Sequence, residues 1–468
     1  MNKGALIFVI FIGALSFFTP NPGLTLGAIA IAVFLFKLLW RPGEPPILLY
    51  CLGFQWLQAT ILTFYADFQG LHLLDVDNSP AIVKGAWLTL WGLLALAIGV
   101  RLGAGANYGL VSRESVEATT SELSVRRLFL ASLLAIALAY VLEMSAPFMG
   151  GLREPFLKLA LLHWVVIYIF VYTVFSQRQG YGHLTLILGI ELLIGLIGFF
   201  SDFKAILIVF FLAALAAPTA LRGLRLRIAL ALIVFSLALG VVWTSIKIDY
   251  REFLNRGTEQ QIVLVPVSDR LGKLVELTGE LNWDKLSKST KTLVNRITYI
   301  HYFSESTRMV PDSIPYEGGR LWLEAIQNFL VPRLLNPDKP IIDDSVRTAY
   351  YIGFEVYGVE RGTSISLGYM AESYIDFGPI GMAAPIFLWG MFLGWTHRRL
   401  SRSSRFPLFG YACSAVLLSF SASYLEQSNI KALGGTILAF IVLYFVQKIL
   451  SEKFYLLVAM PGKNPNLG

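Results

Sequence analysis

Long apolar runs alternate with short polar turns along most of the chain. The pattern predicts twelve helices, each approaching the roughly 20 residues that span a hydrocarbon core. Nine come first: Gly4 to Phe18, Leu24 to Trp40, Ile47 to Tyr65, Ala81 to Val100, Leu128 to Met144, Phe156 to Phe175, Leu184 to Phe200, Ala205 to Ala217 and Ile228 to Ile246. Three follow a long polar stretch: Ile380 to Trp395, Leu408 to Tyr424 and Ala432 to Leu450. The first run is short and follows a single Lys3, but it lacks a small-x-small cleavage site and reads as an anchor, not a leader. Between the ninth and tenth runs, Leu271, Leu274, Leu277 and Leu281 recur at helical spacing, as do Leu293, Ile297 and Ile300. Leu321 to Phe329 reads as a third amphipathic helix, stopped by Pro332. The expected fold is all-α: nine spans in residues 1–246, a helical loop domain in 247–379, and three spans with a tail in 380–468.

Composition narrows the class. With 56% hydrophobic and 15% charged residues, the chain lies outside the range of soluble domains and reads as a polytopic membrane protein. The net charge of +7 does not point to nucleic acid, because Lys and Arg gather at alternate loops. Lys37 and Arg41; Arg101, Arg113, Arg126 and Arg127; Arg178; Arg222, Arg225 and Arg227; and Arg398, Arg399, Arg402 and Arg405 all fall on one side of a twelve-span layout. The intervening loop Ala66 to Pro80 carries Asp67, Asp75 and Asp77 and no cation. Both termini are therefore expected in the cytoplasm and the long insert outside. Cys51 and Cys413 sit inside apolar runs, which supplies neither a disulfide framework nor a zinc pattern.

The stretch from Gly318 to Gly381 holds Arg320, Arg333, Lys339, Arg347 and Arg361 among prolines, glycines and aromatics. Cations on a backbone restricted by Pro332, Pro337 and Pro340 suit the capture of a phosphorylated lipid, since little ordering entropy is lost on binding. The same Arg333 and Lys339 could instead cap the preceding helix. Lys204, in the tight turn Ser201-Asp202-Phe203-Lys204, either joins an external cleft or snorkels to the interface. Glu191 lies inside the seventh span, where an ionisable group is costly and is either functional or paired between helices. His301, Glu372 and Asp376 are candidate bases, the last two at i and i+4 on one helix face. Tyr350, Tyr351, Tyr357 and Tyr374 could stack on sugars. The pairs Asp75 with Asp77 and Asp343 with Asp344 have metal-site spacing but equally suit turns and helix caps, so no metal is assigned. No nucleotide-binding or redox fingerprint occurs, and no cofactor is expected.

On these residues the chain resembles the Wzy-type polysaccharide polymerases. The block Phe329-Leu330-Val331-Pro332-Arg333-Leu334-Leu335-Asn336-Pro337-Asp338-Lys339-Pro340 is similar to that family's Pro-Arg block with its Pro-x-Lys-Pro ending. Gly362-Thr363-Ser364, Leu367-Gly368, Glu372, Tyr374, Phe377-Gly378 and Gly381 resemble its Gly and Glu pattern running into the next span. Ser201-Asp202-Phe203-Lys204 stands where the family more often has an Arg-bearing turn. The resemblance implies a GT-C-like helical enzyme of the bacterial inner membrane that transfers a glycan from undecaprenyl pyrophosphate to a sugar hydroxyl on the outer face. It implies an undecaprenyl-pyrophosphate-linked oligosaccharide as substrate, surrounding membrane lipids, and a flippase and chain-length regulator as partners. The pyrophosphate role falls by position on Arg333 and Lys339, then on Arg320 and Lys204. An O-antigen-ligase-like transferase is the nearest alternative. A flippase is a second, though transporters place their charges near the midplane of related halves.

Overall fold

The computed structural model describes residues 11, 13–41, 44–105, 113–199, 203–217, 222–258, 262–331, 336, 339, 343–356, 364–404 and 406–460. Among them there is no strand, and an isolated bridge pairs Leu123 with Ala459. The longer helices are α1 (Pro22–Leu39), α2 (Ile47–Phe68), α3 (Ile82–Ala104), α4 (Val125–Ser145), α5 (Leu162–Gln177), α6 (Tyr181–Ile197), α7 (Phe203–Ala216) and α8 (Arg222–Asn255). The insert forms α9 (Val267–Gly279), α10 (Trp283–Ile297), α11 (His301–Met309), α12 (Arg320–Leu330) and α13 (Asp344–Ile352). The chain then continues through α14 (Tyr369–Gly381), α15 (Ala383–Ser403), α16 (Pro407–Ser421) and α17 (Asn429–Val458).

This is a helical membrane protein. Seven helices among the described residues are long and apolar enough to cross a bilayer, and α6, α7 and α16 are apolar but shorter. The expected tenth span, Ile380 to Trp395, falls mainly on α15, and the chain bends just before it. Gly378 adopts φ 74°, a conformation glycine tolerates, and Pro379 follows it; the chain turns there, so α14 and α15 meet at 119°. The expected first span lies mostly outside the described residues. The ninth run extends well past Ile246, because α8 has 34 residues, roughly 50 Å at 1.5 Å per residue, and its far end packs on α9 and α10.

Close backbone approach fixes the centre of the bundle. Gly99 and Gly103 on α3 face Gly390 and Gly394 on α15, and a Cβ at any of the four would collide with a main-chain carbonyl of the other helix. Small residues spaced by four let two helices touch where lipid offers no hydrophobic drive to association. The insert docks on the same pair: Gly85 of α3 lies under Ser304 of α11, and the Lys84 ammonium donates to the Thr307 carbonyl at 3.0 Å. At the opposite end of the bundle, the start of α4 meets the end of α17, with Ser124 N–H donating to the Val458 carbonyl at 2.8 Å and Arg127 Nη1 to that of Ala459 at 2.8 Å. Within the insert, side-chain caps open two helices, Asn282 accepting from Lys285 N–H and Asp343 from Ser345 N–H, both at 2.9 Å.

Candidate functional site

Lys204 stands at the start of α7, exposed, with its ammonium 5.5 Å from the centroid of the Tyr424 ring. Two openings meet at this pair. One is a polar cavity of about 670 Å³ whose walls include Glu143, His163, Glu191, Glu426 and Gln427. The other is an apolar groove of about 270 Å³ between α2, α7, α8 and α10, floored by Phe54, Phe203, Phe211 and Leu232. Both volumes include Lys204 and Tyr424 in their lining. α8, which forms one side of the groove, is loosely seated: 11% of its most apolar stretch is buried, against 72% for the helix ending at Gln177.

Three further cations gather there. Lys247 and Arg251 share one face of α8 at i and i+4, and Lys247 lies within electrostatic reach of Arg251, Arg296 and Lys204. Arg251 Nε donates to the Phe199 carbonyl at 3.0 Å, and its guanidinium sits 4.8 Å from that ring's centroid. Among the described residues none of the four cations forms an ion pair. A cluster of like charges that protein carboxylates leave uncompensated favours binding an anion. Glu426 is the nearest countercharge. Burial raises its pKa above the ordinary 4.5, opposed by a short hydrogen bond from Gln58 and by the charges of Lys204 and Arg296.

The carboxylates and cations of the insert are otherwise engaged. Arg320 pairs with Glu317 at 2.8 Å and Glu324 at 3.0 Å, and donates to the Tyr351 hydroxyl at 3.0 Å. Arg347 pairs with Glu324 at 2.7 Å and Glu372 at 3.5 Å. Glu372 is buried, and its other oxygen accepts from the Asn429 N–H at 2.7 Å, at the first turn of α17. Asp376 accepts from the N–H groups of Leu321 and Trp322, each at 3.0 Å, and so caps α12 in place of the glycine that precedes it. Lys339 donates to the carbonyls of Asn328 and Val331, the C-terminal end of the same helix.

The sequence-derived site is thereby redistributed. Of its pyrophosphate-binding residues, Lys204 lies at the cavity, Arg320 and Lys339 serve helix α12, and Arg333 lies outside the described residues, as do Tyr357 and Arg361. Of its bases, Asp376 is a cap and Glu372 holds Arg347 and Asn429. His301 bonds through Nδ1 to Asp77 at 2.9 Å, tying α11 to the turn before α3. Asp77 also accepts from Ser79 N–H at 2.8 Å, and Asp344 pairs with Lys431 at 2.8 Å, so both acidic pairs act in turns, caps and ion pairs. Among the described residues no group of three His, Cys, Asp or Glu side chains converges as a metal site would require. Lys247, Arg251 and Arg296 were overlooked because they lie outside the Gly318 to Gly381 stretch. Their signal was the i, i+4 cation pair just past the ninth apolar run.

Residues 54–453 match a family described as Domain of unknown function (DUF8712). The chain belongs to that family. Neither a curated protein nor a solved structure matches it significantly. The DUF8712 region contains all the residues that line the cavity and all but Tyr50 of those that line the groove.

Proposed function

We propose that this protein is a glycosyltransferase of the bacterial inner membrane that polymerises undecaprenyl-pyrophosphate-linked repeat units into a surface polysaccharide, as its resemblance to the Wzy-type polymerases implies. The observation that carries this reading is the meeting of an apolar groove and a polar cavity at Lys204, beside three more cations that form no ion pair among the described residues. Such a site suits an amphiphile with a long hydrocarbon tail and an anionic head. The tail lies in the groove between α7 and α8, the diphosphate rests against Lys204, Lys247, Arg251 and Arg296, and the sugars extend into the cavity. Its 670 Å³ is within the range of pockets that enclose small ligands.

The chemistry follows from the charges. As the bond from the anomeric carbon to the diphosphate lengthens, negative charge grows on the departing oxygen. Cations already in place stabilise that charge more than the charge of the ground state. In this reading the site faces the periplasm, both termini are cytoplasmic, twelve segments cross the membrane in a GT-C-like arrangement, and flippase and chain-length partners act on either side of the reaction. The test is the purified protein with lipid-linked repeat units extracted from cells lacking the gene. A ladder of polymer is expected. Transfer of single repeat units without a ladder would assign a ligase-like transferase, and no transfer would refute the reading.

A further inference from the structure

The cavity has further polar lining that the binding of a diphosphate at Lys204 leaves unused. Glu191 on α6 is 6% exposed and lines the cavity, and its Oε1 is a buried atom without a hydrogen-bond partner among the described residues. A buried carboxylate oxygen left unpaired is costly, so the fold tolerates it where a ligand completes it. Its surroundings are those of a sugar site. Glu143 of α4 lines the same cavity, and Trp164 and Phe420, with ring centroids 5.7 Å apart, offer apolar faces to a pyranose. His163 bonds through Nδ1 to the Ala160 carbonyl, which places the proton of the neutral ring on that nitrogen.

We infer that the lining around Glu191 is the acceptor-sugar subsite and that Glu191 takes the proton from the attacking hydroxyl; this rests on the function proposed above. The hydroxyl oxygen of the acceptor supplies the electron pair for the new bond to the anomeric carbon. The bond from that carbon to the diphosphate breaks, and its electron pair leaves with undecaprenyl pyrophosphate. The hydroxyl proton passes to Glu191 Oε1 and from there to solvent in the cavity. Donor and acceptor thus share one cavity, with Lys204 for the leaving group and Glu191 for the nucleophile.

The experiment compares parent, Glu191→Gln and Glu191→Ala in polymerisation of extracted lipid-linked repeat units, alongside binding of undecaprenyl pyrophosphate alone. Removal of a positioned general base is expected to lower kcat on the order of 100-fold. The affinity for undecaprenyl pyrophosphate should stay within twofold of the parent's, and formate should restore part of the rate to Glu191→Ala. A parent-like kcat in Glu191→Gln overturns the inference, as does absence of formate rescue in a variant that still binds undecaprenyl pyrophosphate. If neither variant binds that lipid, Glu191 is structural and the inference also falls. A parent that makes no polymer removes both this inference and the function on which it rests.

Discussion

Lys204 and Tyr424 form the hinge between two unlike volumes: the ammonium lies 5.5 Å from the ring centroid, and both side chains border the polar cavity and the apolar groove. A cation held at that boundary meets the headgroup of any lipid whose tail enters the groove. Arg251→Gln and Lys204→Gln are therefore expected to weaken binding of undecaprenyl pyrophosphate by about tenfold or more each, the scale of a lost charge-assisted hydrogen bond. Arg320→Gln should leave that affinity unchanged, because Arg320 already pairs with Glu317 and Glu324. Titration in detergent at two salt concentrations would check both, and equal losses in all three variants would disprove the placement.

The groove makes a separate demand. Ser236 lines it from α8, so Ser236→Trp fills space that a polyprenyl chain would occupy while removing none of the cations. Affinity for undecaprenyl pyrophosphate should drop several-fold, whereas inorganic pyrophosphate should bind as to the parent. A parallel loss for both ligands would mean that the substitution distorts the cation cluster.

Arg347 links three helices through Glu324 and Glu372, and its side chain is 19% exposed while that of Glu372 is 1% exposed. Removing the cation leaves a carboxylate buried without its partner. Arg347→Ala is expected to cost about 3 kcal/mol of stability, as broken buried ion pairs do. The double variant Arg347→Met with Glu372→Gln should recover much of that loss, since no charge then remains buried. Thermal midpoints in detergent would measure both. A larger loss in the double variant would show that the hydrogen bond from Asn429 N–H to the Glu372 carboxylate outweighs the ion pair.

The helices of the insert were legible because their apolar residues repeat at three and four: α12 begins and ends within a residue of the expected limits, and α9 covers most of the Leu271 to Leu281 repeat, whereas the Leu293 to Ile300 repeat marks only the end of α10. The bend at Gly378 was not, since a run of apolar residues reads the same whether a helix continues or turns. Candidate cations were legible by type, but not by partner. Arg320 and Lys204 look alike in sequence, and only the fold gives one of them Glu317 and Glu324. Asp376 shares a predicted helix face with Glu372, yet that face meets the first turn of α12, a contact between segments 54 residues apart that no local pattern encodes.

His301 and Asp77 couple the insert to the membrane bundle in a way that pH should reveal. The hydrogen bond that His301 donates to Asp77 raises the His301 pKa above its ordinary 6.5 against the opposing effect of burial. Burial alone would raise the Asp77 pKa, but the hydrogen bonds from His301 and the Ser79 N–H hold it below 3.8. The histidine's contribution is complete below about 6.5 and disappears as pH rises through its higher folded value; the aspartate's is present above about 3.8 and disappears as pH falls through its lower folded value. The pair therefore stabilises most between roughly pH 4 and 6.5, and the thermal midpoint of the parent should fall as pH rises from 6 to 8. Asp77→Asn should have a lower midpoint at pH 6 and a flatter profile over that interval, with the gap between the two proteins narrowing toward pH 8. Melting curves at half-unit steps would show it, and parallel profiles for parent and variant would place the pH-sensitive contact elsewhere.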